Sequence, residues 1–438
     1  MAEIVKLKIE KEFAVIEFDQ PDSKVNVLSA LSLAELKEII SELNKREDLK
    51  GVLILSKKPD IFIAGADIKE IEKITSIPEA EVKVQTGQKI LNALEKLSIP
   101  SIALINGACL GGGLEMALAC DYRLASFSDK VRLGLPEVKL GIIPGFGGTK
   151  RLPRLVGLRK GLEMILSGDP VSAYEALKIG LVDGLVPQNR LLEEGIGFLR
   201  QKGSKRKQYK QRLKGGVNIF LDKTLLGRAI LKAQAKKFVL KSTRGHYPAP
   251  LKAIEVTVKN YGTSLTQALE REAQAFGKLA IGSVSKNLIS VFYLVEKYKK
   301  AKWVEASPHQ IRKCALLGAG VMGGGIAQLF SYYGLPVRMK DLNYQALGRG
   351  LTQAKEVYDY AVKKKKLKIN QADFGIGLIS PTTTYSGFSN ADLIVEAVVE
   401  DIRIKKAVWN EVNSVAKPDC LFASNTSCLS ISSMTEGV

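Results

Sequence analysis

The sequence predicts an α/β protein, and three observations carry that prediction. Over residues 1–190, short apolar strand runs alternate with segments of helical periodicity. Residues 191–300 lose the strands and read as helical. At Ser307-Pro308 the pattern resets to a short apolar strand followed at once by a glycine-rich turn. With 438 residues the chain has room for several domains. Its composition shifts divide it into residues 1–190, 191–306 and 307–438.

The N-terminal stretch MAEIVKLKIEKEFAVIEF alternates like a strand and lacks the apolar core of a signal peptide. Leu31–Leu43 has helical spacing, and Val52–Leu55 and Ser101–Ile105 are buried-strand runs. Ser101–Cys120 has the length of a membrane span. It also contains Glu115 and glycines at 107, 111, 112 and 113, which favour strand, loop and helix instead. Thr224–Leu240 and Leu265–Tyr298 are helical, with a break at Tyr247-Pro-Ala-Pro250. Cys314–Leu317 begins the last region as a strand, followed by an apolar helix over Ile326–Tyr332 and a second strand at Pro336–Lys340. Lys363–Lys366 reads as a solvated helix end, and no internal repeat is visible.

The hydrophobic fraction of 46% and charged fraction of 25% are those of a globular protein and exclude a disordered or collagenous chain. Five scattered cysteines and only two histidines, His246 and His309, leave no zinc pattern, so no metal site is expected. The same scatter predicts reduced thiols in a reducing compartment. The net charge of +20 is concentrated in residues 191–310, with 24 basic against 8 acidic residues and a dense start at Lys202–Lys214. Such a segment is either a solvated helical face or a surface for a polyanion.

Gly318-Ala-Gly-Val-Met-Gly323 is a G-x-G-x-x-G turn in the right context, between a strand and a helix. Gly318 permits the tight turn, Gly320 lets the backbone approach a pyrophosphate, and Gly323 allows close helix packing. Asp341 ends the next strand, 23 positions after Gly318, where a βαβ unit brings an acid to a ribose. Its charge favours NAD over NADP, a preference that Arg338 and Lys340 soften. This region is expected to be a Rossmann-type, doubly wound parallel sheet.

In the first region, Ile63-Ala-Gly-Ala-Asp-Ile68 and Asn106-Gly-Ala-Cys-Leu-Gly-Gly-Gly-Leu-Glu115 each follow a strand with small residues. Backbone N–H groups there have room to point into a cleft. Glu115 admits two readings: an acid complementing a helix dipole, or a carboxylate in a dry pocket with a raised pKa. Glu137, in Gly134-Leu-Pro-Glu-Val138 ahead of a glycine-rich loop, is either an exposed loop acid or its partner.

These segments carry a resemblance. AGADI, NGACLGGGLE and GLPEVKLGIIPGFGGTKRLPRLVG resemble the enoyl-CoA hydratase (crotonase) family. LLGAGVMGGGIAQ, DLIVEAVVEDIRIKK and SNTSCLSI resemble the 3-hydroxyacyl-CoA dehydrogenases. In this order, joined by GHYPAPLKAIE, they resemble the multifunctional enzymes of fatty-acid β-oxidation. The resemblance implies a crotonase-type ββα spiral, a helical linker and an incomplete NAD-binding sheet. It implies oxyanion donors at the N–H groups of Ala66 and Gly112, and catalytic Glu115 and Glu137. It places acyl-CoA contacts at Ala64, Gly65, Asp67, Ile68, Gly111 and Gly145, and a substrate contact of the dehydrogenase half at Ser427. NAD contacts fall on Gly318, Gly320, Gly323, Asp341, Glu400 and Lys405. Coenzyme A enters only as part of the substrate.

Two departures are expected to matter. The dehydrogenases use a histidine beyond the SNTS strand, a position this sequence of 438 residues does not reach, so 3-hydroxyacyl-CoA oxidation is not expected of it. The Ser126-Phe-Ser-Asp-Lys-Val segment looks long for the family and is expected to shift Glu137 relative to Glu115. The resemblance also implies docking to a thiolase subunit. The alternative reading is a non-catalytic or nucleic-acid-binding protein using the basic segment, against which stands the lack of interleaved aromatics. No transmembrane segment and a cytoplasmic location are expected, with peroxisome or mitochondrial matrix as alternatives.

Overall fold

The computed structural model describes residues 3–203, 216–301, 305, 307–364 and 366–436. The chain forms two compact units, Met1–Ala301 and Lys302–Val438. The described helices of the basic middle segment are therefore part of the first unit rather than a separate linker.

The first unit grows by turns of strand, strand and helix. β1 (Val5–Glu10) and β2 (Phe13–Phe18) make a hairpin at Lys11, whose φ of 58° is left-handed. The long alternating run of the sequence is thus two strands, and β2 is buried on both faces. Helix Ala30–Leu43 starts at the Ser29 cap and buries Leu33, Leu36, Ile39, Ile40 and Leu43 at helical spacing. β3 (Gly51–Ser56) and β4 (Ile61–Ile63) lead to helix Ile77–Glu95. β5 (Ser101–Ile105) and β6 (Ala108–Leu110) lead to helix Gly112–Ala119. β7 (Tyr122–Ser126) and β8 (Arg132–Gly134) lead to helix Gly148–Val156. β9 (Val171–Ser172) and β10 (Gly184–Val186) close the two sheets.

After the β1–β2 hairpin, in the turns β3/β4, β5/β6 and β7/β8 the first strand joins one sheet and the second joins another. The sheet orders are β1-β2-β3-β5-β7-β10 and β4-β6-β8-β9. This spiral repeats a placement of elements rather than of residues, which is why no repeat is visible in the sequence. β4, β6 and β8 run parallel, so their C-terminal ends emerge along one edge. The stretch Ser101–Cys120 is strand, strand and buried helix inside this spiral. Among the described residues no single helix is long and apolar enough to cross a membrane.

The described helices of the middle segment are Leu191–Lys202, Gly216–Lys223, Leu225–Thr243, Pro248–Tyr261, Leu265–Ala280 and Ser283–Lys300. The Tyr247-Pro-Ala-Pro250 break is the start of helix Pro248–Tyr261, where a proline loses no helical hydrogen bond. The predicted single helix over Leu265–Tyr298 is two, divided at Ile281-Gly282. Helix Leu265–Ala280 packs on helix Ile77–Glu95, with Ala273, Phe276 and Ala280 in the main core. Lys286 caps the short helix Ile68–Glu72 by donating to the carbonyls of Ile71, Glu72 and Ile74 at 3.2, 2.6 and 2.7 Å. Helix Leu225–Thr243 turns Lys232, Lys236, Lys237 and Lys241 to solvent, a solvated basic face. Most of Lys202–Lys214 lies outside the described residues.

The second unit has five parallel strands: β11 (Cys314–Leu317), β12 (Val337–Lys340), β13 (Ile379–Thr382), β14 (Leu393–Glu396) and β15 (Leu421–Ser424). Their order is β13-β12-β11-β14-β15. Leu316 packs with Ala327, Met339 and Leu347 on one face, and Ala315 and Leu317 with Ile394, Phe388 and Val412 on the other. The sheet is therefore covered on both sides, as a doubly wound Rossmann-type sheet requires. Helix Tyr344–Lys363 ends at the lysine run, of which Lys365 lies outside the described residues.

Candidate active site

The parallel strands of the smaller sheet deliver three segments to one edge: Ala64–Asp67 after β4, Gly111–Gly113 after β6, and Leu135–Glu137 after β8. Backbone bonds hold them in register. Gly111 N–H donates to the Gly134 carbonyl at 2.9 Å, and Ala64 N–H to the Asn26 carbonyl at 2.8 Å. Leu28 N–H donates to the Gly65 carbonyl at 2.8 Å, and Asp67 N–H to the Leu28 carbonyl at 3.2 Å. Alternate peptide groups of an extended segment face opposite ways. Between those last two bonds, the Ala66 N–H therefore turns away from Leu28, and among the described residues it has no acceptor. The same holds for the Gly112 N–H, which opens helix Gly112–Ala119 and has no partner within it.

Glycine is required twice at this edge. Gly111 has a φ of 51°, and a β-carbon on it would stand 3.2 Å from the Glu137 Oε1 and 3.4 Å from the Gly65 Cα. A β-carbon on Gly113 would lie 2.3 Å from the Ile63 carbonyl oxygen, so the helix can approach β4 this closely only without a side chain.

Glu115 is 2% exposed. Its Oε1 accepts from the N–H groups of Phe146 and Gly148, each at 2.7 Å. The carboxylate thus serves a cleft loop and not the dipole of its own helix. Burial first, then the charges of Glu137 and Glu272, push its pKa well above the ordinary carboxylate value, against the pull of those two N–H donors. Burial likewise raises Glu137 to about 8. The Glu137 Oε2 is shielded from solvent and has no hydrogen-bond partner among the described residues. The segment Ser126–Val131, expected to displace Glu137, turns back on itself through a bond from Val131 N–H to the Ser128 carbonyl at 3.2 Å. β8 stays paired with β6, and Glu137 remains against Gly111. Two carboxyls pushed up by burial and two free N–H groups thus share one edge. This arrangement can move protons and stabilise an oxyanion.

The remaining positions that the resemblance implies divide. Asp67 caps helix Ile68–Glu72, its Oδ1 accepting from Lys69 N–H at 2.9 Å, and so fixes the chain direction just after Ala66. Ile68 opens that helix, and Ala64 and Gly65 belong to the bonded edge described above. Gly145 is set back: its carbonyl accepts from the Gln88 Nε2 at 2.9 Å, and a β-carbon on it would meet Phe276 and Val84.

One residue at this edge is not among those that the sequence reading picked out. Glu272, fully buried on helix Leu265–Ala280, accepts from Gly147 N–H at 2.5 Å, from Thr149 N–H at 3.0 Å and from the Thr149 hydroxyl. Burial raises its pKa to about 7. The signal was available, since an acid three positions after Leu269 and four before Phe276 lies on the apolar face of its helix.

In the second unit the Gly318 loop forms the turn its spacing predicts. Gly318 has a φ of 95°, and a β-carbon there would lie 2.5 Å from the Ala397 carbonyl oxygen. Space beside Gly320 is open, and a β-carbon on Gly323 would strike the Gly318 carbonyl. Helix Val321–Tyr332 starts directly on this loop, with its first N–H groups at the open side. Asp341 closes the loop, its Oδ2 accepting from Ala319 N–H and its Oδ1 from Leu342 N–H, each at 2.6 Å. Each oxygen retains lone pairs for ribose hydroxyls. The cradle therefore fits a dinucleotide.

Lys405, for which the resemblance implies an NAD contact, lies within the second unit's core. It is fully buried and pairs with Glu396 at 2.7 and 3.0 Å, and more distantly with Glu400 at 3.3 Å. Glu396, which the sequence reading passed over at the end of an apolar strand, also accepts from Ser424 Oγ at 2.6 Å and Val398 N–H at 2.7 Å. Glu400 accepts from the Thr426 hydroxyl at 2.6 Å and from Ser427 N–H at 3.1 Å. That hydroxyl, the Ser427 N–H and Lys405 together hold its pKa down to about 2. Ser427 is exposed beyond β15. His309 precedes β11, and His246 lies in the first unit.

Comparison with known proteins agrees with both halves. Residues 8–243 match the family described as enoyl-CoA hydratase/isomerase. Residues 313–438 match the 3-hydroxyacyl-CoA dehydrogenase NAD-binding domain. Human mitochondrial delta3-delta2-enoyl-CoA isomerase shares the fold at 22% identity, over 68% of this chain and 100% of its own, with a TM-score of 0.50. An enoyl-CoA hydratase from Bacillus anthracis is 27% identical over 68% of this chain and 96% of its own, with a TM-score of 0.43. DspI of Pseudomonas aeruginosa is 28% identical over 56% and 97%, with a TM-score of 0.43. The chain belongs to the enoyl-CoA hydratase/isomerase family and carries a dehydrogenase NAD-binding domain behind it, the domain pairing of a fused fatty-acid oxidation enzyme.

Proposed function

We propose that the first unit hydrates 2-trans-enoyl-CoA to 3-hydroxyacyl-CoA, and that the same pocket moves a 3-enoyl double bond to the 2-position. The observation that carries this reading is the meeting of Glu115 and Glu137, both pushed up by burial, beside the free N–H groups of Ala66 and Gly112. The thioester oxygen accepts from those two N–H groups. They stabilise the enolate that forms when water oxygen bonds to Cβ, each worth about 3–4 kcal/mol in a dry cleft. One carboxylate takes a proton from that water, and the other carboxyl delivers a proton to Cα, so that one water is added across the double bond. In isomerisation a proton leaves C2, returns at C4, and no water is consumed.

For the second unit we propose NAD binding at the Gly318 loop, with the pyrophosphate against the first turn of helix Val321–Tyr332 and a ribose on Asp341. When bound, NAD supplies a hydride acceptor for the 3-hydroxyacyl product. Glu400 and Ser427 orient polar groups there, and the Lys405–Glu396 pair supports Glu400 from below.

The test of the first reading is loss of enoyl-thioester absorbance with crotonyl-CoA. Glu115→Gln and Glu137→Gln should each lower turnover on the order of 100- to 10,000-fold while the thermal transition persists. Near-normal turnover in either variant, or none in the parent chain, defeats the assignment.

A further inference from the structure

Glu272 has no part in the steps above, yet it grips the loop that holds Glu115. The amides of Phe146, Gly147, Gly148 and Thr149 alternate between two carboxylates: Phe146 and Gly148 donate to Glu115, and Gly147 and Thr149 to Glu272. We propose that Glu272 is a positioning residue for the catalytic Glu115, acting through these interleaved amides. The catalytic consequence rests on the reading of Glu115 given above; the positioning itself does not.

Every group presented to Glu272 is a donor: two N–H groups and the Thr149 hydroxyl. Only an acceptor at both ends, a carboxylate, satisfies both N–H groups. The rest of the loop is fastened by three other helices. Gln88 Nε2 donates to the carbonyls of Gly145 and Leu269 at 2.9 and 3.0 Å. Arg151 donates to the Phe146 carbonyl at 2.6 Å, and Asn260 Nδ2 to the Thr149 hydroxyl oxygen at 3.1 Å. Glu272 is fully buried, so a donor freed from it finds no water to replace the bond. With Oε1 of Glu115 committed to Phe146 and Gly148, its second oxygen is the one available to a proton in transit. Rotating the loop would turn that oxygen. The middle segment is thereby a working part of the site, since the helix carrying Glu272 belongs to it.

Glu272→Gln keeps the shape and sets an NH2 group against an N–H donor. Residue-resolved amide exchange of the full chain should show Phe146 and Gly148 exchanging about tenfold faster or more, although neither touches Glu272. Amides of β3 and β5 should keep their rates. On crotonyl-CoA, kcat should fall on the order of tenfold or more with KM within about threefold, since misplacement harms the transition state more than binding. Thr149→Val, which removes one donor without creating a clash, should move the same amides by less and serves if the Gln variant does not fold. Unchanged protection at Phe146 and Gly148, or a uniform rise across the unit, overturns the proposal. Exchange needs no turnover, so an inactive parent chain would refute the hydratase reading and leave this inference still decided by the amides.

Discussion

Both units place their polar groups at the C-terminal ends of parallel strands, yet they treat carboxylates in opposite ways. In the first, Glu115 and Glu272 are buried and Glu137 is half-buried, and loss of solvent pushes all three upward. In the second, Glu400 is 37% exposed and held down to about 2 by the Thr426 hydroxyl, the Ser427 N–H and Lys405. The difference suits the tasks proposed for Glu115 and Glu137 on one side and for Glu400 on the other. A group that must give and take a proton near neutrality has to be costly to ionise. A group that must present a fixed charge or acceptor to a bound nucleotide has to be cheap to ionise.

The comparison can be broken most forcefully at the buried Lys405–Glu396 ion pair of the second site. Lys405→Met leaves Glu396 buried without its cation and should destabilise the second unit by about 3–5 kcal/mol. Hydration of crotonyl-CoA should be untouched. Denaturant unfolding followed at both units would show it, and adding Glu396→Gln should restore most of the loss. A second-unit transition that does not move would mean that the pair supports nothing.

A smaller effect is expected at Asp341. Asp341→Asn loses the charge and sets an NH2 group against one of the two loop N–H donors, so NAD should bind about tenfold more weakly or worse. NADP should change little, because the repulsion of its extra phosphate is relieved at the same time. Calorimetric titration with both nucleotides measures the contrast. Equal losses for the two would remove Asp341 from ribose selection.

The mildest test is pH. A carboxyl whose folded pKa lies above its unfolded value contributes stability below about pH 4.5, and that contribution is lost as pH rises through the folded value. For Glu137 the window runs from 4.5 to about 8. Across it the first unit should lose up to about 1.4 kcal/mol per pH unit for each such group. Its Tm should therefore fall from pH 5 to pH 8, and Glu137→Gln should flatten the slope. Turnover per bound substrate should also decline above about pH 8, where the proton-donating carboxyl is spent. A Tm that rises over this interval would show that the carboxyls are not raised.

The sequence reading located most of this because the chemistry is local. Glycine turns, strand ends and the acids beside them lie within a few residues of one another, as at Gly111–Glu115 and Gly318–Gly323. It divided the middle segment from the first unit because basic composition was the only visible signal there. Neither Glu272 on an apolar helix face nor Glu396 at the end of an apolar strand shows its partner in the linear chain. Glu272 lies 123 positions from Thr149. Lys405 carries a charge that a reader of sequence places in solvent, whereas packing buries it against Glu396.

By itself, then, the sequence determined two α/β units, a dinucleotide turn and a pair of candidate acids, because backbone turns and apolar periodicity are written in adjacent residues. Only the tertiary structure decided that β4, β6 and β8 end on one edge, that Glu115 and Glu137 share it, and that a helix from the basic segment holds the loop behind them. The physical reason is that burial and pairing set a carboxylate's charge, and both depend on residues brought together from far along the chain.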